Sequence, residues 1–105
     1  MTIAEPSWVS TIDAYKLQEN SKVAIYPKGL PVLLIKKGGQ IHAISNKCAH
    51  MACPLAGGVL DGCIIRCPCH NWGFDIKTGE FLDAKEIKIQ VYQTKLLEGK
   101  IYVKI

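Results

Sequence analysis

The 105-residue chain is predicted to be all-β with antiparallel sheets. Short runs containing Val, Ile and Tyr recur between turn residues, which is the pattern of short, half-buried strands. Two of those turns, Lys37-Gly38-Gly39-Gln40 and Glu98-Gly99, supply the glycines that tight hairpins require, so neighbouring strands should pair antiparallel. At the C-terminus Ile101, Val103 and Ile105 alternate with Tyr102 and Lys104, giving one buried and one wetter face.

Taken in order, Thr11 to Gln18 places Ile12, Tyr15 and Leu17 at near-helical spacing behind Ser10 or Thr11 as a cap, which predicts one short helix or turn. Strand runs follow at Lys22 to Tyr26, Pro31 to Lys36 and Ile41 to Ser45. Asn46 to Gly62 has no strand character, and a loop that long inside a compact domain is usually functional. Further strand runs are Cys63 to Arg66, Ile87 to Tyr92, Lys95 to Leu97 and Lys100 to Ile105. No repeat, low-complexity tract or linker interrupts the pattern. The length suits one domain over residues 1–105 and is too short for two separate cores.

Composition excludes several functions. Apolar residues make up 49% and charged residues 21%, an ordinary globular balance. The longest apolar run, Leu30 to Ile35, contains Pro31 and ends at Lys36-Lys37, far short of the ~20 residues that span a bilayer. Met1 to Ser10 does not read as a secretory signal, so a cytoplasmic protein without a membrane span is expected. The formal charge is +4, but the twelve lysines are scattered and only Lys36 and Lys37 are adjacent, which argues for a solvated surface and against a nucleic-acid partner. Between Lys47 and Asp75 the only charged residues are Asp61 and Arg66.

That nearly neutral stretch contains Cys48-Ala49-His50, a C-x-H pair, and Cys67-Pro68-Cys69-His70, in which Cys67 and His70 form a C-x-x-H pair. Each segment offers one thiolate and one imidazole, and sixteen residues separate His50 from Cys67, so two loops on neighbouring strands could converge on one centre. A structural zinc site accepts two Cys and two His, but such sites usually pair Cys with Cys and His with His. The mixed order here fits a [2Fe-2S] cluster whose two irons take the cysteines and the histidines separately.

The two boxes resemble those of Rieske proteins, with the closest likeness to soluble Rieske ferredoxins. The likeness is specific from Asn46 to Phe74 and continues loosely through residues 75–83. It implies a Rieske-like antiparallel β-sandwich with a small cluster-binding subdomain made of two loops, at about residues 46–62 and 67–74. It also implies that Cys48 and Cys67 bind the inner iron while His50 and His70 bind the outer iron near solvent. With neutral imidazole ligands the oxidised centre is formally uncharged, so it takes up single electrons, at roughly −150 to +300 mV. Imidazoles on a ferric ion lose their remaining protons more readily, so the potential should fall as pH rises.

Cys53 and Cys69 stand at offsets where the Rieske proteins of quinol-oxidising complexes have a disulfide joining the two loops. The resemblance implies the same bond here; two free buried thiols are the alternative, favoured by a reducing compartment. Cys63 lacks an obvious partner and reads as a small core residue. High-potential members resemble CPCHGS-x-Y, whose serine and tyrosine hydroxyls donate to cluster or cysteine sulfur. Trp72 and Phe74 occupy those positions and have no hydroxyl, which implies a potential toward the low end. "HNW" resembles the "HGW" of Rieske ferredoxins and ring-hydroxylating oxygenases, and Asn71 in place of glycine predicts a positive φ. Met51, Ala52, Pro54, Leu55, Ala56 and Gly57-Gly58 are uncharged and would cap the centre, with Leu55 either in a docking surface or packed on the base.

Only His42 remains for a mononuclear iron, and no Gly-x-Gly-x-x-Gly fingerprint for a dinucleotide is present. The expectation is therefore an electron-transfer component of a multi-protein system, passing electrons from a reductase to a terminal oxygenase or similar redox enzyme. Alternatives are a small Rieske subunit of a larger complex, such as a nitrite reductase, and a zinc-stabilised binding module.

Overall fold

The computed structural model describes residues 8–48, 53–69 and 71–105. Among these residues twelve strands form three antiparallel sheets. The first sheet joins β1 (Trp8–Asp13), β12 (Lys100–Lys104) and β11 (Thr94–Leu97), in that order. The second joins β10 (Val91–Tyr92), β4 (Gln40–Ser45), β3 (Val32–Lys37) and β2 (Lys22–Ile25). The third runs in chain order through β5 (Val59–Asp61), β6 (Ile64–Arg66), β7 (Gly73–Asp75), β8 (Glu80–Phe81) and β9 (Ala84–Lys88).

The second sheet is the middle layer because both of its faces are apolar. Alternate residues of β3 serve opposite cores. Val32 and Leu34 pack with Ala43, Ile101 and Val103, joining this sheet to the first. Leu33 and Ile35 pack with Ile44, Ile65, Phe74 and Ile76, joining it to the third. A strand buried on both sides reads as a continuous apolar run, which accounts for the stretch from Leu30 to Ile35.

Both predicted hairpins form. Lys37 pairs with Gln40 across Gly38 and Gly39, at φ 64° and 75°, and Leu97 pairs with Lys100 across Glu98 and Gly99, at φ 51° and 76°. The first turn is fastened by Glu19, whose carboxylate accepts from the Gly38 and Gly39 N–H groups at 2.5 and 2.9 Å. The alternation at the C-terminus also holds, with Ile101 and Val103 fully buried. On the outer face of the first sheet Lys95 lies over the Trp8 ring at 4.5 Å and Lys104 at 5.9 Å, so part of the surplus positive charge is engaged locally.

One expectation, the short helix or turn within Thr11 to Gln18, holds in part, and three need correction. Thr11 to Gln18 is strand β1 followed by a 3₁₀ turn at Ala14–Lys16; Leu17 is buried, but Tyr15 points outward and is 76% exposed. Three apolar residues matched a helical period while strand pairing with β12 won the first of them. Asn46 to Gly62 is not strand-free, since it contains a 3₁₀ turn at Leu55–Gly57 and strand β5. The second loop is shorter than 67–74, because β7 begins at Gly73. Ile87 to Tyr92 is two strands in two sheets, β9 ending at Lys88 and β10 starting at Val91. The crossing is secured by Ile89 N–H donating to Gly79 O and Ser45 N–H donating to Gln90 O.

His42 sits on β4 beside this boundary. Burial pushes its imidazole below the ordinary 6.5 and Lys77 adds to the effect, with Asp75 opposing. The folded chain therefore resists a proton that the unfolded chain accepts, and stability should fall as pH drops through about 6.5. Glu19 has the opposite kind of group and the same outcome. The Gly39 and Gly38 N–H groups lower its pKa, so its contribution is present above 4.5 and lost below. Denaturation midpoints between pH 7 and 5 should flatten in His42→Gln, whereas Glu19→Gln should alter only the more acidic limb.

Candidate metal centre

The second and third sheets together position two loops side by side. The first runs from Cys48 to Gly58 and the second from Cys67 to Trp72. Cys48 follows β4 and Cys67 follows β6, so each cysteine is anchored at a strand end. Both are 3% exposed and belong to one apolar cluster with Leu55, Ile65 and Phe74. Two buried thiols facing one core at the roots of two loops are a chemically suitable pair for a soft metal centre.

Backbone hydrogen bonds close each loop. Cys48 N–H donates to Cys53 O at 2.8 Å, and Cys67 N–H donates to Trp72 O at 2.8 Å while Cys67 O accepts from Asn71 N–H at 2.9 Å. Asn71 has φ 59°, as expected of a residue standing where glycine is usual. A disulfide joins Cys53 to Cys69 and ties the two loops to one another. His50 and His70, together with Met51 and Ala52, lie outside the described residues.

Beneath the loops, Asn46 and Gly58 provide support that neither residue type alone advertises in the sequence. Asn46 is a buried polar residue whose Oδ1 accepts from Ala56 N–H at 2.8 Å, while its own N–H donates to Pro31 O. It thus pins the far side of the first loop to the base. Gly58 is required by close approach, because a Cβ there would lie 1.9 Å from the Arg66 carbonyl oxygen. Asn46 at a strand end and the Asp61-Gly62 pair between apolar residues were available signals, the latter of a β5–β6 hairpin.

Aromatic packing closes the underside. Trp72 stacks on Phe81 with centroids 4.0 Å apart and planes 5° from parallel, and Phe74 meets Phe81 at 5.6 Å. Phe74 is fully buried. Leu55 is fully buried as well, so of its two readings the packed one holds. Cys63 is half-buried against the same core. Asp61 and Arg66 face each other at 3.8 Å, so the two charges of the neutral stretch offset one another. Such an exposed pair contributes about 0–1 kcal/mol.

The disulfide closes a loop with a sequence separation of 16, for which chain entropy predicts about 3 kcal/mol. Cys53→Ser should therefore shorten cluster lifetime and lower the unfolding midpoint while leaving the reduction midpoint unchanged, because neither clasp sulfur is free to serve as a ligand. Bleaching kinetics and redox titration on the same preparation check both halves.

A β-scaffold that roots two clasped loops on buried thiols defines a metal-cluster protein. Residues 7–97 match the Rieske [2Fe-2S] domain family, and the chain belongs to that family. The cofactor of that domain is a Rieske-type [2Fe-2S] cluster. The chain is similar to the ferredoxin component of the naphthalene 1,2-dioxygenase system of Pseudomonas aeruginosa, 32% identical over 94 residues and 89% of each chain. It is also similar to human apoptosis-inducing factor 3, 39% identical over 74 residues, which are 70% of this chain and 12% of that protein. Among solved structures, a chain in the complex of reduced oxygenase and oxidized ferredoxin in carbazole 1,9a-dioxygenase superposes with TM-score 0.85, 27% identity and 92% coverage of both chains. No helix among the described residues is long and apolar enough to cross a membrane.

Proposed function

We propose that the chain carries single electrons from a reductase to a terminal oxygenase, with Cys48, His50, Cys67 and His70 holding the cluster. The observation that carries this reading is the pair of buried thiols at the roots of two loops joined by the Cys53–Cys69 clasp. Likeness over most of its length to a dioxygenase ferredoxin component supports the choice of acceptor. Residues 1–105 act as one unit, a reading supported by the two apolar clusters sharing strand β3.

When bound, the cluster supplies a reversible one-electron couple. The chain's own residues set where that couple sits and what reaches it. Cys48 and Cys67 would hold the cluster from the apolar core, and Leu55, Phe74 and the Trp72–Phe81 stack would keep water from beneath it. His50 and His70 would supply the remaining two ligands. On this reading the carrier works in the cytoplasm, beside the reductase and oxygenase it would serve.

Phe74 is sealed in the core and Trp72 is committed to stacking, so neither position offers the hydroxyl donor found in high-potential relatives. A midpoint in the lower half of the roughly −150 to +300 mV range is expected, falling as pH rises above neutrality. Redox titration of anaerobically purified protein, with visible and EPR spectra and iron and sulfide analysis, measures it. The carrier reading requires uptake of one electron per chain and reoxidation by an aromatic-ring oxygenase. Copurification as a fixed stoichiometric subunit would direct it instead to a larger complex, and a colourless protein without acid-labile sulfide would end it.

A further inference from the structure

The clasp and one proposed ligand lie closer together than holding a cluster requires. The sulfur atoms of Cys53, Cys67 and Cys69 are all within 4.8 Å of one another, and two of them already form the disulfide. A thiol beside a disulfide is its natural nucleophile, since exchange proceeds by attack on one sulfur with the other leaving. We propose that the cluster-free chain carries out an internal thiol–disulfide exchange, in which Cys67 displaces Cys69 from Cys53. The proposal rests on the reading of Cys67 as a cluster ligand, because ligation is what withholds its sulfur in the loaded protein.

The step balances without any added oxidant or reductant. The Cys67 thiolate attacks Cys53 Sγ, the Cys53–Cys69 bond breaks as the Cys53–Cys67 bond forms, and the electron pair leaves on Cys69. The proton given up by Cys67 is replaced on Cys69. Attack on Cys53 is favoured over attack on Cys69 by ring size. A Cys67–Cys69 bond would close a ring over the single residue Pro68, whose fixed φ further restricts that turn.

Cys69 is exposed while Cys67 is buried, so the exchange converts a protected thiol into one open to solvent. It also removes one proposed ligand, so a chain that has lost its cluster becomes unable to reload until a dithiol reduces the Cys53–Cys67 bond and frees Cys67. Cys63 is an unsuitable nucleophile for the same bond. It precedes β6 and Cys67 follows it, a separation of roughly 13 Å along the strand.

The test uses the full chain freed of cluster by anaerobic chelation without added thiol, incubated, acid-quenched, alkylated under denaturing conditions and mapped by fragmentation at the Cys67–Pro68 bond. Alkylation should move with time from Cys67 to Cys69, with a Cys53–Cys67 disulfide appearing, and cluster reconstitution should be lost in step and regained after dithiothreitol. Alkylation confined to Cys48, Cys63 and Cys67 at all times overturns the proposal. The Cys67→Ser chain, treated alike, should keep Cys53–Cys69 intact; release of Cys69 there would name another nucleophile and also overturn it. Cluster content separates the two readings. A Cys67→Ser chain with a full cluster refutes the ligand assignment, whereas a cluster-free variant beside an unexchanged wild type refutes only the exchange.

Discussion

Cys48→Ser and Cys67→Ser should each give a folded chain that is colourless, with iron and acid-labile sulfide near zero. A serine hydroxyl is a hard, weakly acidic donor and replaces thiolate poorly on an iron–sulfur centre. No substitute thiol is at hand, because Cys53 and Cys69 are bonded to each other and Cys63 stands before β6. The fold should survive, since each change removes no more than a sulfur from a core that includes Leu33, Ile65 and Phe74. Iron and sulfide per chain measure the first expectation and circular dichroism the second. A serine variant with wild-type cluster content would strike that cysteine from the ligand set.

Phe74→Ala should be the most damaging of the apolar truncations. Phe74 has no exposed surface, pairs with Ile65 and Phe81 in adjacent strands, and lies in the core beneath both loops. Removing a buried phenylalanine costs about 3–5 kcal/mol when the site cannot collapse. In a domain of this size each kcal/mol is worth roughly 4–8 °C of Tm, so the variant should unfold at least ~12 °C earlier. The Phe74 ring lies 6.4 Å from Trp72 and 5.6 Å from Phe81, in strands held by backbone pairing, so the neighbours have little freedom to fill the space it leaves. Calorimetry of the loaded protein would read the shift, and faster bleaching should accompany it. A loss under 1 kcal/mol would mean that the aromatic cluster does not support the loops.

Much of the centre was legible before folding because its signals are local. The glycines of Lys37-Gly38-Gly39-Gln40 and Glu98-Gly99 readily take the positive φ of hairpin turns, and Asn71 tolerates it in the second box. The two boxes were legible because thiol and imidazole in a fixed short spacing restrict the chemistry more than any fold does. Other local signals were available and were outweighed. Asp61-Gly62 marks the β5–β6 hairpin, yet the strands it joins are three residues each, too short to show alternation.

What escaped was long-range. Residues 87–92 look like one strand because their composition is continuous, and nothing local says that Lys88 ends in one sheet and Val91 begins in another. Leu55 carried no mark to separate docking from packing, since an apolar side chain in a loop suits either. Asn46 and Gly58 matter for what stands opposite them, Ala56 N–H in one case and Arg66 O in the other. Likewise the spacing of Cys53, Cys67 and Cys69 brings three sulfurs within reach only after β5 and β6 pair and bring the loops together.

The division follows from the range of the forces. Turn geometry and ligand chemistry are settled within a few neighbouring residues, so hairpins, the all-β class and the two metal-binding boxes could be read from residue types and spacing. Sheet membership, burial of a particular leucine and the encounter of two loops depend on which distant surfaces exclude water from each other. Those are properties of contacts across the chain, and the folded arrangement of β3 between two cores is where they become definite.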